Sequence, residues 1–418
     1  MIKDPLPNVS FENTTVAFSS KSNLELRKMQ FIFSVMNRKT IVNLGTNLIK
    51  LGFKLRLPIK GLVKSTIFSQ FCGGETIEDC GKTIRVLYRH NVNTILDYSV
   101  EGENNESAYD ENMAEILATI RESGSNEATP FAVFKVSGVA NTQVLTRKQA
   151  GEVLNEKEQD LFKKAKSRVF NLCKAAYEAD TGIFVDGEES WMQDVVDQMA
   201  YEMMAHFNRE KAIVYNTYQM YRHDMLKNLK KAHADARHEG YYLGAKLVRG
   251  AYMEKERERA AEKGYLSPIQ PNKEATDRDF NLALNFCMEQ ADIFLVSGTH
   301  NEYSNRYLAK LMINKRMAPD DKRVYFAQLY GMGDNISFNL ANAGYNVAKY
   351  VPYGPVKLVL PYLFRRAEEN TSVAGQSSRE HTLIVREVLR RRLEQKRKDK
   401  DAMHTKNSSY EAKDNQVV

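Results

Sequence analysis

A lysine inside an apolar run is the first residue of this 418-residue chain that asks for a chemical explanation. Lys135 stands in Phe131-Ala132-Val133-Phe134-Lys135-Val136, where a buried ammonium needs an anion, either a structural carboxylate or a ligand. Asp186 ends a similar run, Gly182-Ile183-Phe184-Val185-Asp186, at a position where Asp also commonly caps a following helix. Asn216, Lys246, Arg249 and the triplet Thr299-His300-Asn301 stand within or just beyond other apolar runs. Near the C-terminus, Arg365 and Arg366 are adjacent and Glu369 follows one helical turn later. Two guanidinium forks, charged at any relevant pH, suit a small carboxylate, whereas an isolated pair of this kind is more often a solvated ion pair. No single one of these residues decides anything; a ring of them on one rim would.

Other chemistries lack their apparatus. His206, His223, His233 and His238 lie in helical stretches without H-E-x-x-H spacing or a cysteine cluster, so no metal site is expected. Neither a G-x-S-x-G nor a P-loop is present, and no G-x-G-x-x-G follows the first strand, which disfavours acyl transfer, nucleotide hydrolysis and a Rossmann domain.

The elements that must position these residues alternate. Short β-branched or aromatic runs at Thr94–Ser99, Phe131–Val136, Gly182–Asp186, Ala212–Thr217, Gly244–Arg249, Asp292–Ser297, Arg323–Gln328 and Val347–Val351 are separated by longer stretches with helical periodicity. Trp191, Val195, Met199 and Met203 form one such apolar row; Phe280, Leu284 and Cys287 form another. Eight strands each followed by a helix predict an α/β fold, a distorted (β/α)8 barrel of the TIM type, with active-site loops at the C-terminal ends of the strands. Residues 102–109 and 138–160 read as long loops of that kind. Residues 1–90 read as a mostly helical region, 91–390 as the barrel and 391–418 as a charged, disordered tail.

Composition narrows the setting. The net charge is +7, and no run approaches the roughly 18 apolar residues of a membrane span. Cys72, Cys80, Cys173 and Cys287 make no disulfide framework, which suits a reducing compartment. The N-terminus carries Asp4, Glu12 and Glu25 before any apolar run, unlike a signal or transit peptide, so a bacterial cytoplasmic protein is expected. Between Arg27 and Gly74 no acidic residue occurs. In the segment at about 39–64, Lys50, Lys54, Arg56, Lys60 and Lys64 alternate with leucines and isoleucines. Such a basic amphipathic stretch fits the inner face of an anionic plasma membrane, or a cationic helix packed on the main domain.

Five segments, in order, resemble the proline dehydrogenase family: Gly244-Ala-Lys246-Leu-Val-Arg249-Gly-Ala-Tyr252, Thr299-His300-Asn301, Gln328-Leu329-Tyr-Gly331-Met332, Tyr350-Val-Pro-Tyr-Gly-Pro355 and Tyr362-Leu-Phe-Arg-Arg-Ala-Glu-Glu-Asn370. The likeness runs from about residue 65 to 390 and is nearest to the monofunctional, mitochondrial type. Many bacterial members carry Arg at the position of Lys246 and Gln at that of Asn216. The resemblance implies FAD as cofactor and oxidation of L-proline to Δ1-pyrroline-5-carboxylate by hydride transfer from C5 to the flavin N5. It implies a membrane quinone as electron acceptor, and a separate pyrroline-5-carboxylate dehydrogenase downstream. It assigns Lys135, Arg365 and Arg366 to the substrate carboxylate, Leu329 and Tyr350 to the pyrrolidine ring, and Asp186 and Lys246 to the catalytic centre beside the flavin edge. Gly187, Asn216, Lys246, Arg249, Gly250, Ala251, Lys273, Thr299, His300 and Glu369 are assigned to FAD. Members that prefer hydroxyproline tend to have a smaller residue where this chain has Tyr350, which favours proline itself. Competing readings are a hydroxyproline dehydrogenase, another flavin-barrel reductase using NAD(P)H, and a basic nucleic-acid scaffold built on residues 27–74. The last is the least expected, so no nucleic-acid partner is anticipated.

Overall fold

Eight near-continuous runs of Val, Ile, Phe, Ala and Leu can be satisfied only where both faces of a strand are covered, which is the condition of a parallel sheet wrapped by helices. The computed structural model has that form. It describes residues 9–100, 105–372 and 376–414, with side chains for all of these but 39, 368–372, 376–377 and 404–414. Strands β1 (Val92–Tyr98), β2 (Phe131–Phe134), β3 (Gly182–Val185), β4 (Val214–Gln219), β5 (Leu243–Val248), β6 (Ile293–Gly298), β7 (Val324–Leu329) and β8 (Val347–Tyr353) pair in parallel, each with its neighbour in sequence, and β8 closes on β1. Each strand lies within two residues of its expected ends.

Ile95, Phe131, Val133, Phe184, Tyr215, Val296, Ala327 and Ala348 fill the inside of the barrel. Phe131 stacks on Phe184 with ring centroids 4.6 Å apart, and the rings of Tyr215 and Tyr325 meet it edge-on. The larger core lies between strands and outer helices, where Val214, Leu247, Leu295 and Phe326 meet Val196, Leu229, Leu284 and Leu308.

A second core joins three parts far apart in sequence: the N-terminal arm, the helix Val356–Ser372 and the C-terminal helix Gln376–Asp414. Leu26, Phe33 and Phe71 from the arm pack there with Val359 and Leu363 and with Leu383 and Ile384. The arm's helix Asn23–Met36 begins at a capping box formed by Ser22 and Glu25. The basic helix Lys39–Lys54 turns Val42, Ile49 and Phe53 to this core and leaves Leu44, Leu48 and Leu51 at least half exposed.

Three expectations change. The excursion at 138–160 is mostly helical: Asn141 and Asn155 cap the helices Thr142–Gln149 and Glu156–Glu178. Of the stretch 391–418, expected to be disordered, residues 415–418 lie outside the described residues, and the rest continues the C-terminal helix as far as Asp414. Its start is fixed by burial of Leu383, Ile384 and Val388, and i,i+4 pairs such as Arg390–Glu394 and Gln395–Asp399 carry it outward. In the expected loop at 102–109, residues 102–104 lie outside the described residues, and a helix capped by Asn105 starts at Glu106.

Candidate active site

Side chains on a strand alternate between faces, so a residue an even number of positions beyond an inner-core residue also points into the barrel. Asp97 follows Ile95, Lys135 follows Val133, Asp186 follows Phe184, Leu329 follows Ala327 and Tyr350 follows Ala348, each by two positions. On β5 the outer core takes Leu243, Ala245 and Leu247, which turns Lys246 inward. One short layer above the aromatic core, the C-terminal strand ends therefore gather acids, cations and a phenol.

These groups are bonded to one another. Lys246 Nζ donates to Asp186 Oδ1 in an ion pair with both side chains largely buried. The Tyr350 hydroxyl donates to Asp186 Oδ2 at 2.7 Å, so both carboxylate oxygens are engaged. The Lys246 ammonium sits over the rings of Phe184 and Tyr350, 5.1 and 4.9 Å from their centroids. Burial and then the Asp186 charge hold the Tyr350 phenol well above its usual range, which keeps it a neutral donor. Burial also raises the Asp97 carboxyl, against the pull of the Lys135 ammonium; Ser99 donates to it at 2.5 Å. Glu188 is pushed up to about 7 by burial, although Lys135 favours its charge and Ser137 donates to it from both backbone and hydroxyl.

A second group of residues forms the rim beyond β5 and β6. Every nitrogen of the Arg249 guanidinium is committed: Nε to Asp277 at 2.7 Å, Nη1 to the Thr299 hydroxyl at 2.6 Å and Nη2 to the Ser304 hydroxyl at 3.0 Å. Lys273 joins the same Asp277 carboxylate. Gly250 has φ 128°, and a Cβ there would lie 2.6 Å from the Tyr221 ring, so only glycine brings the chain this close before Ala251. A Cβ at Gly187 would lie 2.9 Å from the Gln219 side chain. Burial, reinforced by the nearby charges of Lys349, Arg366 and Arg249, pushes His300 down to about 3, so its ring is neutral. Its Nε2 accepts the Leu329 N–H at 3.1 Å, which puts the ring proton on Nδ1, a buried atom without a partner among the described residues.

The helix Val356–Ser372 brings Arg365 and Arg366 over this layer. Arg365 stacks 6.0 Å from the centre of the Tyr252 ring, the phenol that also feels Lys135, and Arg366 contributes to the field at His300. The side chain of Glu369 lies outside the described residues.

Asn216 is the residue that sequence reasoning misplaced. It is one position beyond inward-facing Tyr215, and its amide donates at 2.8 Å to Asp197 in the outer helical layer, away from the cup. Gln219, three positions later, has the inward parity and donates to the Glu188 carbonyl at 2.7 Å. Asp97, Glu188, Gln219 and Tyr252 are the site residues the sequence reading did not single out. Asp97 had a readable signal, an acid within Thr94-Ile-Leu-Asp-Tyr-Ser99 placed as Lys135 is in its own strand.

Known proteins are similar to this chain in sequence and in fold. A family model described as proline dehydrogenase matches residues 80–379. The carbapenem antibiotics biosynthesis protein CarD of Pectobacterium carotovorum subsp. carotovorum is 34% identical over 79% of this chain and 86% of its own. Mitochondrial proline dehydrogenase 1 of Dictyostelium discoideum is 31% identical over 91% of this chain and 75% of its own, and the human protein of that name 43% identical over 56% and 40%. The match thus spans less than half of the human relative's length. Among solved structures, proline utilization A from Bdellovibrio bacteriovorus, inactivated by N-propargylglycine, superposes with a TM-score of 0.68 at 18% identity, over 87% of this chain and 38% of that one. A match that begins in the helix before β1 and ends at the start of the C-terminal helix leaves one assignment: this chain belongs to the proline dehydrogenase family.

Proposed function

We propose that the protein oxidises L-proline to Δ1-pyrroline-5-carboxylate with FAD. The observation that carries this reading is the cup itself: Lys135, just past β2, and Arg365, from the helix Val356–Ser372, stand around Tyr252, beside a phenol within β8 and a leucine at the end of β7. Lys135, Arg365 and Arg366 hold the substrate carboxylate, each with donors matched to an anion. Leu329 and Tyr350 wall the apolar ring, and the Asp186 bond fixes the tilt of Tyr350. No strong base is required, since the secondary amine enters neutral or yields its proton to solvent.

The residues present fit a flavin. Gly250 and Ala251 offer a close backbone approach, Arg249, Lys273 and Thr299 make a pre-ordered cationic rim, and His300 offers a buried Nδ1–H in need of an acceptor. Gly187 and Lys246 would stand at the reacting edge. Bound FAD would supply the hydride acceptor, from C5 of proline to N5, that no side chain of the cup can replace. Anaerobic titration of the purified, flavin-loaded protein with L-proline tests the reading: the flavin absorbance should bleach. A spectrum bleached by NADH and untouched by proline would favour another flavin reductase and sink it.

Electrons from such a reaction need an acceptor, and a membrane quinone fits the surface. The basic helix Lys39–Lys54 exposes Leu44, Leu48 and Leu51, followed by Leu55, Leu57 and Leu62, beside exposed Lys50, Lys54, Arg56, Lys60 and Lys64. A peripheral position on an anionic bilayer would bury this face; no described helix is long and apolar enough to cross a membrane. Changing those basic residues to Gln should abolish sedimentation with anionic liposomes. Undiminished sedimentation would remove the membrane from the proposal. The imine product then passes to a separate pyrroline-5-carboxylate dehydrogenase.

A further inference from the structure

The turn from Leu329, the last residue of β7, to Gly333, just before the helix Asp334–Asn342, is tied from four directions. The Leu329 N–H goes to His300; the Leu329 and Met332 carbonyls accept from Lys349 of β8, the former at 3.4 Å. The Gly331 carbonyl accepts from Gln70 of the N-terminal arm at 2.8 Å. The Gly333 N–H donates to the carboxylate of Glu380, which reaches in from the first turns of the C-terminal helix. Glu380 and Lys349 are buried, and Lys349 also pairs with Asp334 at 2.8 Å. One residue earlier on the same turn, Arg379 donates at 3.0 Å to Glu302, just past Thr299-His300-Asn301.

The loop matters because both of its ends bear on the cup. Leu329 lines it, and Gly333 is pressed against His300: a Cβ at Gly333 would lie 2.7 Å from Nδ1. A carboxylate buried at this depth is costly unless its bonds are made, so a surface helix that delivers one to a single backbone N–H has a definite anchoring task. Glu380 lies just beyond the residues matched by the family model, which end at 379.

We propose that Glu380 is a positioning residue for proline oxidation: through the Gly333 N–H it sets Leu329 and His300, making the start of the C-terminal helix part of the active site. The proposal rests on the functional reading above. Glu380→Ala should raise KM for proline about tenfold, the size of one buried hydrogen bond lost with its donor left unpaired, with kcat changed less than about threefold. Amides of Leu329 and Gly333 should exchange faster in the same variant. Glu380→Gln, whose amide oxygen can accept the same N–H, should recover most of the loss. Glu380→Asp, one methylene shorter, should shift both readouts in the same direction even if the alanine variant does not fold. Arg386→Ala, which breaks a contact between the same helix and Glu12 away from the loop, should leave both unchanged. Wild-type KM and exchange in the alanine or aspartate variant, or an equal loss in Arg386→Ala, would overturn the proposal. Wild-type protein that never oxidises proline would instead sink the functional reading, while amide exchange would still report on the loop.

Discussion

At the scale of single residues, the cup is governed by charges kept out of water. Arg365→Met removes one cation from a carboxylate site and should raise KM for proline by about 10- to 100-fold, because a charge-assisted bond is lost in a water-poor pocket; steady-state kinetics with a dye acceptor would expose a mistaken assignment by an unchanged KM. Tyr350→Ser opens the ring wall and frees one Asp186 oxygen, so discrimination against hydroxyproline should fall; unaltered discrimination would place the wall elsewhere. Asp197, the outer-layer partner of Asn216, makes a pH prediction. Burial pushes its carboxyl up to about 6, against the hydrogen bonds from Asn216 and Gln193. A carboxyl raised in the folded state keeps a proton that the unfolded chain releases. Its ionisation therefore costs stability, fully above about pH 6 and not at all below about pH 4. Asp197→Asn escapes that cost. The variant should melt about 1–2 °C above wild type at pH 8 and level with it at pH 4. A gap that widens on acidification would contradict the sign.

At the scale of elements, strand alternation decides which side chain meets which ligand. Lys135, Asp186 and Lys246 were legible as inward residues because each interrupts an apolar strand with a charge that needs a partner. Asn216 was not, because β4 carries polar side chains on both faces, Asn216 outward and Thr217 and Gln219 inward, and the polar pattern alone does not show which face is which. The arm makes its own test. Gly331 has φ 78°, and a Cβ there would lie 2.0 Å from the Gln70 carbonyl, so Gly331→Ala should destabilise the protein by about 1–3 kcal/mol in urea unfolding. An unchanged midpoint would mean that the arm can move off the loop freely.

At the scale of the molecule, the barrel is completed by parts outside it. The helix carrying Arg365 and Arg366 is held between the arm and the C-terminal helix by the second core, so the cations proposed to hold the substrate depend on both ends of the chain. Deleting residues 376–418 would expose Val359, Leu363 and the aromatic residues of the arm, and should leave the protein aggregated or without proline binding. Deleting only 404–418 should leave the melting temperature within about 1 °C. Equal behaviour of the two truncations would show that the second core is dispensable.

Local pattern determined the eight strands, their order and most of the cationic residues, since apolar runs of strand length and charges trapped within them can be read from neighbours a few positions apart. Only the tertiary structure decided that Asn216 turns away, that Gln219 and Glu188 turn in, and that Gln70 and Glu380 close on the loop beside Leu329. Those contacts join residues as many as 261 positions apart, and the buried polar groups that enforce them, an orphan N–H or an unpaired carboxylate, exist only once the chain has folded around them.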